Sequence, residues 1–99
     1  MQHPNKLPYK IAIEIDIDCQ ELLDAIGLDY TESEDDDTQN VVMLTLDEDE
    51  YLEAITDSMW ASNDLNEQSI SAALLNPELG EYTTKVTIYK PSGDIISFY

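Results

Sequence analysis

From Tyr9 to Asp18 the chain reads Y-K-I-A-I-E-I-D-I-D, so that Ile11, Ile13, Ile15 and Ile17 alternate with Ala12, Glu14, Asp16 and Asp18. A period of two carried by β-branched residues predicts a strand with one buried and one wet face. Asp18 followed by Glu21 has capping-box spacing, Leu22, Leu23 and Ile26 form an apolar stripe, and Gly27 suits a helix C′ position. A short helix over residues 19–26 is expected. From Asp29 to Asn40 no buried period exists, which predicts a solvated acidic loop. The run V-V-M-L-T-L (Val41 to Leu46) predicts a short strand with both faces covered. Asp47 and Glu50 repeat the capping spacing ahead of Leu52, Ile55 and Met59, with Tyr51 beside them, so a helix over about 48–61 follows. A third helix is expected over about 65–75, with Ile70, Ala73 and Leu74 inward and Asn76-Pro77 ending it. Tyr82 to Lys90, the turn Pro91-Ser92-Gly93-Asp94 and Ile95 to Tyr99 read as a hairpin.

The element order is therefore β-α-β-α-α-β-β. It predicts an α+β domain with a mainly antiparallel four-stranded sheet and three short helices, the first strand's place in the sheet being open. The expected organisation is one domain over 1–99, with residues 1–8 a flexible leader. Hydrophobic residues make up 42% of the 99, with 3 Gly and 4 Pro, which is too apolar for a disordered acidic tail. No apolar run is long enough to span a bilayer, and no secretory stretch opens the chain. A cytoplasmic protein is expected, in the host cytoplasm if a phage encodes it. One Cys and one His supply neither a disulfide nor a zinc cluster. Phosphate-loop and nucleophile-elbow spacings are also missing, so the expectation is a non-enzyme without cofactor or metal.

Charge changes the picture most. Against 22 Asp and Glu stand 4 Lys, giving a formal charge of -18, and the lysines are Lys6, Lys10, Lys85 and Lys90. Residues 11–84 hold 21 carboxylates and no basic side chain. Duplex DNA carries one charge per ~1.7 Å, so such a charge corresponds to roughly 31 Å of duplex, close to the diameter of a domain this size. A self-repelling surface is most simply explained by a basic partner. Glu14, Asp16 and Asp18 would recur every ~6.6 Å along a strand, near the ~6.8 Å advance of two nucleotides. On a rigid strand, Glu14 and Asp16 should outweigh the loop carboxylates Glu32, Glu34, Asp35, Asp36 and Asp37. Asp49 and Glu53, one helical turn apart, are further phosphate substitutes, and Met43 and Trp60 are candidate apolar anchors. A calcium site is disfavoured, because D-D-D-T-Q-N lacks the alternating ligand ladder, its glycine and the distal Glu.

The run N-V-V-M-L-T-L-D after T-E-S-E-D-D-D-T-Q resembles the acidic turn and strand of the phage uracil-DNA glycosylase inhibitor family. The segment E-I-D-I-D-C-Q-E-L-L-D-A-I-G is similar to that family's acidic strand and short helix, and the closing hairpin E-Y-T-T-K-V-T-I-Y-K-P-S-G-D falls in the corresponding place. The helical stretch from Asp47 to Gly80 has no counterpart there. The resemblance implies an acidic DNA mimic whose Glu14, Ile15 and Asp16 enter the enzyme's DNA groove. It places Met43, Leu44, Leu22 and Ile26 near an apolar pocket and Glu32 to Asp37 at the periphery. The expected partner is thus a basic DNA-binding enzyme, uracil-DNA glycosylase first, held one-to-one by a monomer that binds neither nucleic acid nor membrane. A restriction or CRISPR nuclease is another target of the same kind. Competing readings are an immunity protein or antitoxin plugging a basic nuclease toxin, and an adaptor whose charge serves solubility.

Overall fold

The computed structural model describes residues 8–32, 39–62 and 65–99. It is an α+β structure with five strands, Tyr9–Asp16 (β1), Thr31–Glu32 (β2), Gln39–Leu46 (β3), Thr83–Tyr89 (β4) and Ile95–Phe98 (β5), and four helices, Gln20–Ile26 (α1), Glu48–Ser62 (α2), Glu67–Leu74 (α3) and Pro77–Glu81 (α4). The strands form one antiparallel sheet in the order β2-β3-β1-β4-β5. The first strand is central. The extra strand is the two-residue β2, and the extra helix begins at Pro77, where a stop was expected. Proline is equally at home at the first helical position, and Asn76 caps it, its Oδ1 accepting from Leu79 N at 2.8 Å.

Ile11, Ile13 and Ile15 are fully buried and cluster with Val42, Val86 and Ile88 of the flanking strands and with Leu23, Ile70 and Leu79 of the helices. All four helices therefore cover one face of the sheet, and the other face is open. Met43 lies on that open face and is 54% exposed, so β3 has one covered face rather than two.

Three local expectations change. The strand ends at Asp16, Asp18 falls in a single 3-10 turn (Ile17–Cys19), and Cys19 is the N-cap of α1 without a side-chain cap, so the Asp18–Glu21 box does not form. In α2 the inward residues are Tyr51, Ala54, Ile55 and Ser58, while Leu52 and Met59 are exposed. Small Ala54 and Ser58 let the helix approach closely, and the Ser58 hydroxyl is satisfied by Ala54 O at 2.7 Å. In α3 Ala73 is exposed, and Ser69 and Ser71 are buried with Ile70. The Asp47–Glu50 box is present, with Glu50 N donating to Asp47 Oδ1 at 2.8 Å and Asp47 N to Glu50 Oε1 at 3.1 Å. Gly27 takes the left-handed conformation, φ 77°, that closes α1.

The helices pack tightly at Gly80. A Cβ there would lie 2.8 Å from the Gln68 carbonyl oxygen and 3.0 Å from Ala72 Cβ. Gly80→Ala should therefore cost about 1–3 kcal/mol of stability in chemical denaturation. An unchanged midpoint would mean that α3 and α4 are not apposed in this way.

Candidate partner-binding surface

The register fixes what the open sheet face presents. Lys10, Ala12, Glu14 and Asp16 of β1 stand beside Thr45, Met43, Val41 and Gln39 of β3, and Tyr89, Thr87 and Lys85 of β4 stand opposite Lys10, Ala12 and Glu14. Glu14 thus has a lysine directly across the strand, and the Lys85 ammonium also lies 5.6 Å from the centre of the Tyr99 ring. Asp16 accepts from Asp18 N at 3.0 Å, closing the turn that leaves the strand. The expected row of three carboxylates is consequently a pair, with Lys85 across from Glu14 and Gln39 across from Asp16. Ile15 is at 0% exposure in the core and cannot face a groove. Period two explains the second result, because Ile15 must point opposite to its neighbours, and the first follows from the strand ending at Asp16.

The apolar pocket implied by the resemblance is not assembled. Met43 is on the open face, whereas Leu44 pairs with Ile11 on the covered one and packs on the core with Leu22. Ile26 is partly exposed at the end of α1. Glu32 is exposed in β2. Glu34, Asp35, Asp36 and Asp37 lie outside the described residues.

On the helical side the distribution is different. The helices carry no basic residue, and the lysines among the described residues, Lys10, Lys85 and Lys90, belong to the sheet and its last turn. On α2 the exposed residues Asp49, Glu53 and Asp57 follow at intervals of four, which sets their carboxylates on one side with an axial advance of about 6 Å per step. Asp49 and Glu53 were expected here; Asp57 extends the row. Helical spacing places Trp60 at the end of that row and Leu52 and Met59 along the flank nearest Trp60. Trp60 is 82% exposed, unusual for a side chain so costly to leave in water. The signal for this stripe lay in the sequence, but Leu52, Ile55 and Met59 also have the spacing of a buried face.

Elsewhere the polar groups hold structure. Buried Asn40 accepts from Gln20 Nε2 at 3.1 Å and donates to Asp16 O at 3.4 Å, tying β3, β1 and α1 together. The Thr83 hydroxyl lies 2.7 Å from that of Ser71 and 2.9 Å from Leu79 O, tying β4 to the helices. Burial pushes the Cys19 thiol up, and Asp16, Asp18 and Glu78 push it further in the same direction, so it is a poor nucleophile at neutral pH. Among the described residues no group of His, Cys, Asp and Glu is arranged to hold a metal ion, and no helix is long and apolar enough to cross a membrane. Compared with protein-family models, curated proteins and solved structures, the chain has no significant match.

Trp60 is the only tryptophan, so its setting can be read directly. Acrylamide should quench its fluorescence nearly as well as it quenches free tryptophan. At low salt caesium should quench far better than iodide, because neighbouring carboxylates attract the cation and repel the anion. A tryptophan protected from acrylamide would contradict the exposed position. The thiol supplies a second check: iodoacetamide should modify Cys19 much more slowly in the folded protein than in urea at pH 8 (roughly), and equal rates would show that it is neither buried nor shifted upward.

Proposed function

We propose that the protein is an acidic inhibitor that occupies the DNA-binding groove of a basic enzyme, presenting its helical side. The observation that carries this reading is the segregation of charge: α1 to α4 hold only carboxylates, while the lysines among the described residues stand on the sheet and its last turn. The Asp49, Glu53 and Asp57 row, advancing about 6 Å per step, approximates the ~6.8 Å advance of two nucleotides along one DNA strand. The molecule measures 47 × 31 × 24 Å. Its long axis therefore spans roughly 14 base pairs at ~3.4 Å each.

Charge alone gives steering, and a lasting complex needs anchors. Trp60, with Leu52 and Met59 beside it, supplies apolar surface adjoining the carboxylates. The partner that suits this surface has a Lys/Arg-lined groove with an apolar cleft next to it. Uracil-DNA glycosylase, the target that the resemblance implies, is the first enzyme to test; a restriction or CRISPR nuclease offers the same groove chemistry. The exposed Trp60 equally suits a protein that plugs a basic nuclease toxin, and there too the helical side would face the enzyme.

Inhibition of uracil excision should be competitive with duplex DNA, and the protein alone should not shift DNA in a gel. Replacing Glu53 with Gln and Asp57 with Asn should weaken inhibition by about 2–5 kcal/mol, the range for losing desolvated charge pairs. Trp60→Ala should cost about 2 kcal/mol or more. Glu14→Gln with Asp16→Asn should cost about 1 kcal/mol or less, because both carboxylates stand on the sheet side, away from the helical row, and Glu14 already has Lys85 across the strand. Equal losses from the two double variants would make total charge the driver. Direct DNA binding at moderate salt would remove mimicry altogether.

A further inference from the structure

The open sheet face is the one described surface where the two signs of charge are mixed, and it is rich in exposed apolar groups. Met43 at 54%, Ile95 at 63% and Tyr99 at 85% are joined there by Tyr89 at 40% exposure. A face of this kind needs an occupant, and its pattern specifies one. Across the strands β3, β1, β4 and β5, one cross-strand row reads Thr45, Lys10, Tyr89, Ile95 and the next reads Met43, Ala12, Thr87, Ser97. The row after that reads Val41, Glu14, Lys85, and Tyr99, one residue beyond β5, meets Lys85 at its outer end.

We propose that this face pairs with the same face of a second copy of the chain, about a two-fold axis lying along the Met43–Ala12–Thr87 row. That operation turns the first row onto the third. Lys10 then faces Glu14 of the other copy, Tyr89 faces Lys85, and Ile95 faces Tyr99. The uncharged middle row meets itself. Each pairing occurs twice, as an isologous interface requires, and each is favourable: an ion pair, a cation over an aromatic ring and an apolar contact. Stacked sheets place such side chains in contact at about 10 Å separation. Pairing helical side with helical side would instead set unbalanced carboxylates against one another.

The size of the face sets the strength. Four strands at ~4.8 Å spacing and three rows at ~6.8 Å repeat give about 400 Å² per copy. The total of about 800 Å² is below the ~1,000 Å² of a stable specific interface, so the dimer is weak and transient. It also assembles against the mutual repulsion of two molecules of charge -18. Raising salt screens that long-range repulsion more than it weakens close contacts within the interface, so dimerisation strengthens with salt. Binding to a basic enzyme changes in the opposite direction, and the sheet pairing does not rest on that reading.

Sedimentation equilibrium of the full chain tests the pairing. A monomer–dimer equilibrium with a dissociation constant of about 10–100 μM at physiological salt, tightening several-fold by about 0.5 M, is expected. Met43→Glu sets two carboxylates against each other near the axis, and Lys10→Glu breaks both ion pairs; each should raise the constant about tenfold or more. Combining Lys10→Glu with Glu14→Lys restores opposite charges across the two-fold axis and should bring the constant back to within about threefold of the starting protein. Circular dichroism confirms that each variant is folded. A monomer at all concentrations and salts, a dimer indifferent to Met43→Glu, or no recovery in the folded double variant would each overturn the proposal.

Discussion

Everything in this structure depends on the burial of β1 at the centre of the sheet. Ile11, Ile13 and Ile15 are at 0% exposure, paired on both sides by β3 and β4 and capped by Leu23, Ile70 and Leu79 from the helices. Fully burying an isoleucine side chain contributes about 1.5–3 kcal/mol, so these three supply a share comparable to the whole net stability of a small domain. Because the side-chain period is two, that burial also forces Lys10, Ala12, Glu14 and Asp16 onto the opposite face. The two surfaces of the molecule follow from one alternation.

The functional consequence is a division of charge. On the sheet face both signs are present, with Lys85 across from Glu14 and Lys10 further along the same strand, and apolar groups lie between them. On the helical face nothing balances the carboxylates. Such a single-sign field opposes compaction, and the sheet core must offset it. An acidic layer without cations is therefore better suited to a basic partner than to solubility alone, where mixed signs would serve at lower cost.

Much of the fold was legible in the sequence. The alternation of β1, the Asp47–Glu50 box, Gly27 and the Pro91–Asp94 turn all act through local chemistry, and local chemistry is what spacing records. The central place of β1 was not legible, because period two reports one buried face and says nothing about how many neighbours a strand has. Nor was the rotation of α2. Ile55 is inward on either reading, but Leu52 and Met59 compete with Tyr51, Ala54 and Ser58 for the rest of the inward side, and close packing favoured the set with small residues. The candidate site was affected by both. Glu14 and Asp16 were identifiable as a carboxylate pair, but the lysine opposite Glu14 comes from a strand 71 residues away, and only the sheet register reveals it. Asp49, Glu53 and Trp60 were visible individually; that Asp57 continues their row depends on which way the helix faces.

The central claim is that unbalanced helical charge guides this protein to a basic groove while apolar contacts hold it there. It is tested most directly by measuring association and dissociation rates with uracil-DNA glycosylase, the first enzyme proposed as a partner, over a range of ionic strength. Long-range steering is screened over a Debye length of ~8 Å at physiological salt, whereas close contacts are screened much less. The association rate should fall steeply as salt rises and the dissociation rate should change little. An association rate insensitive to salt would contradict the account.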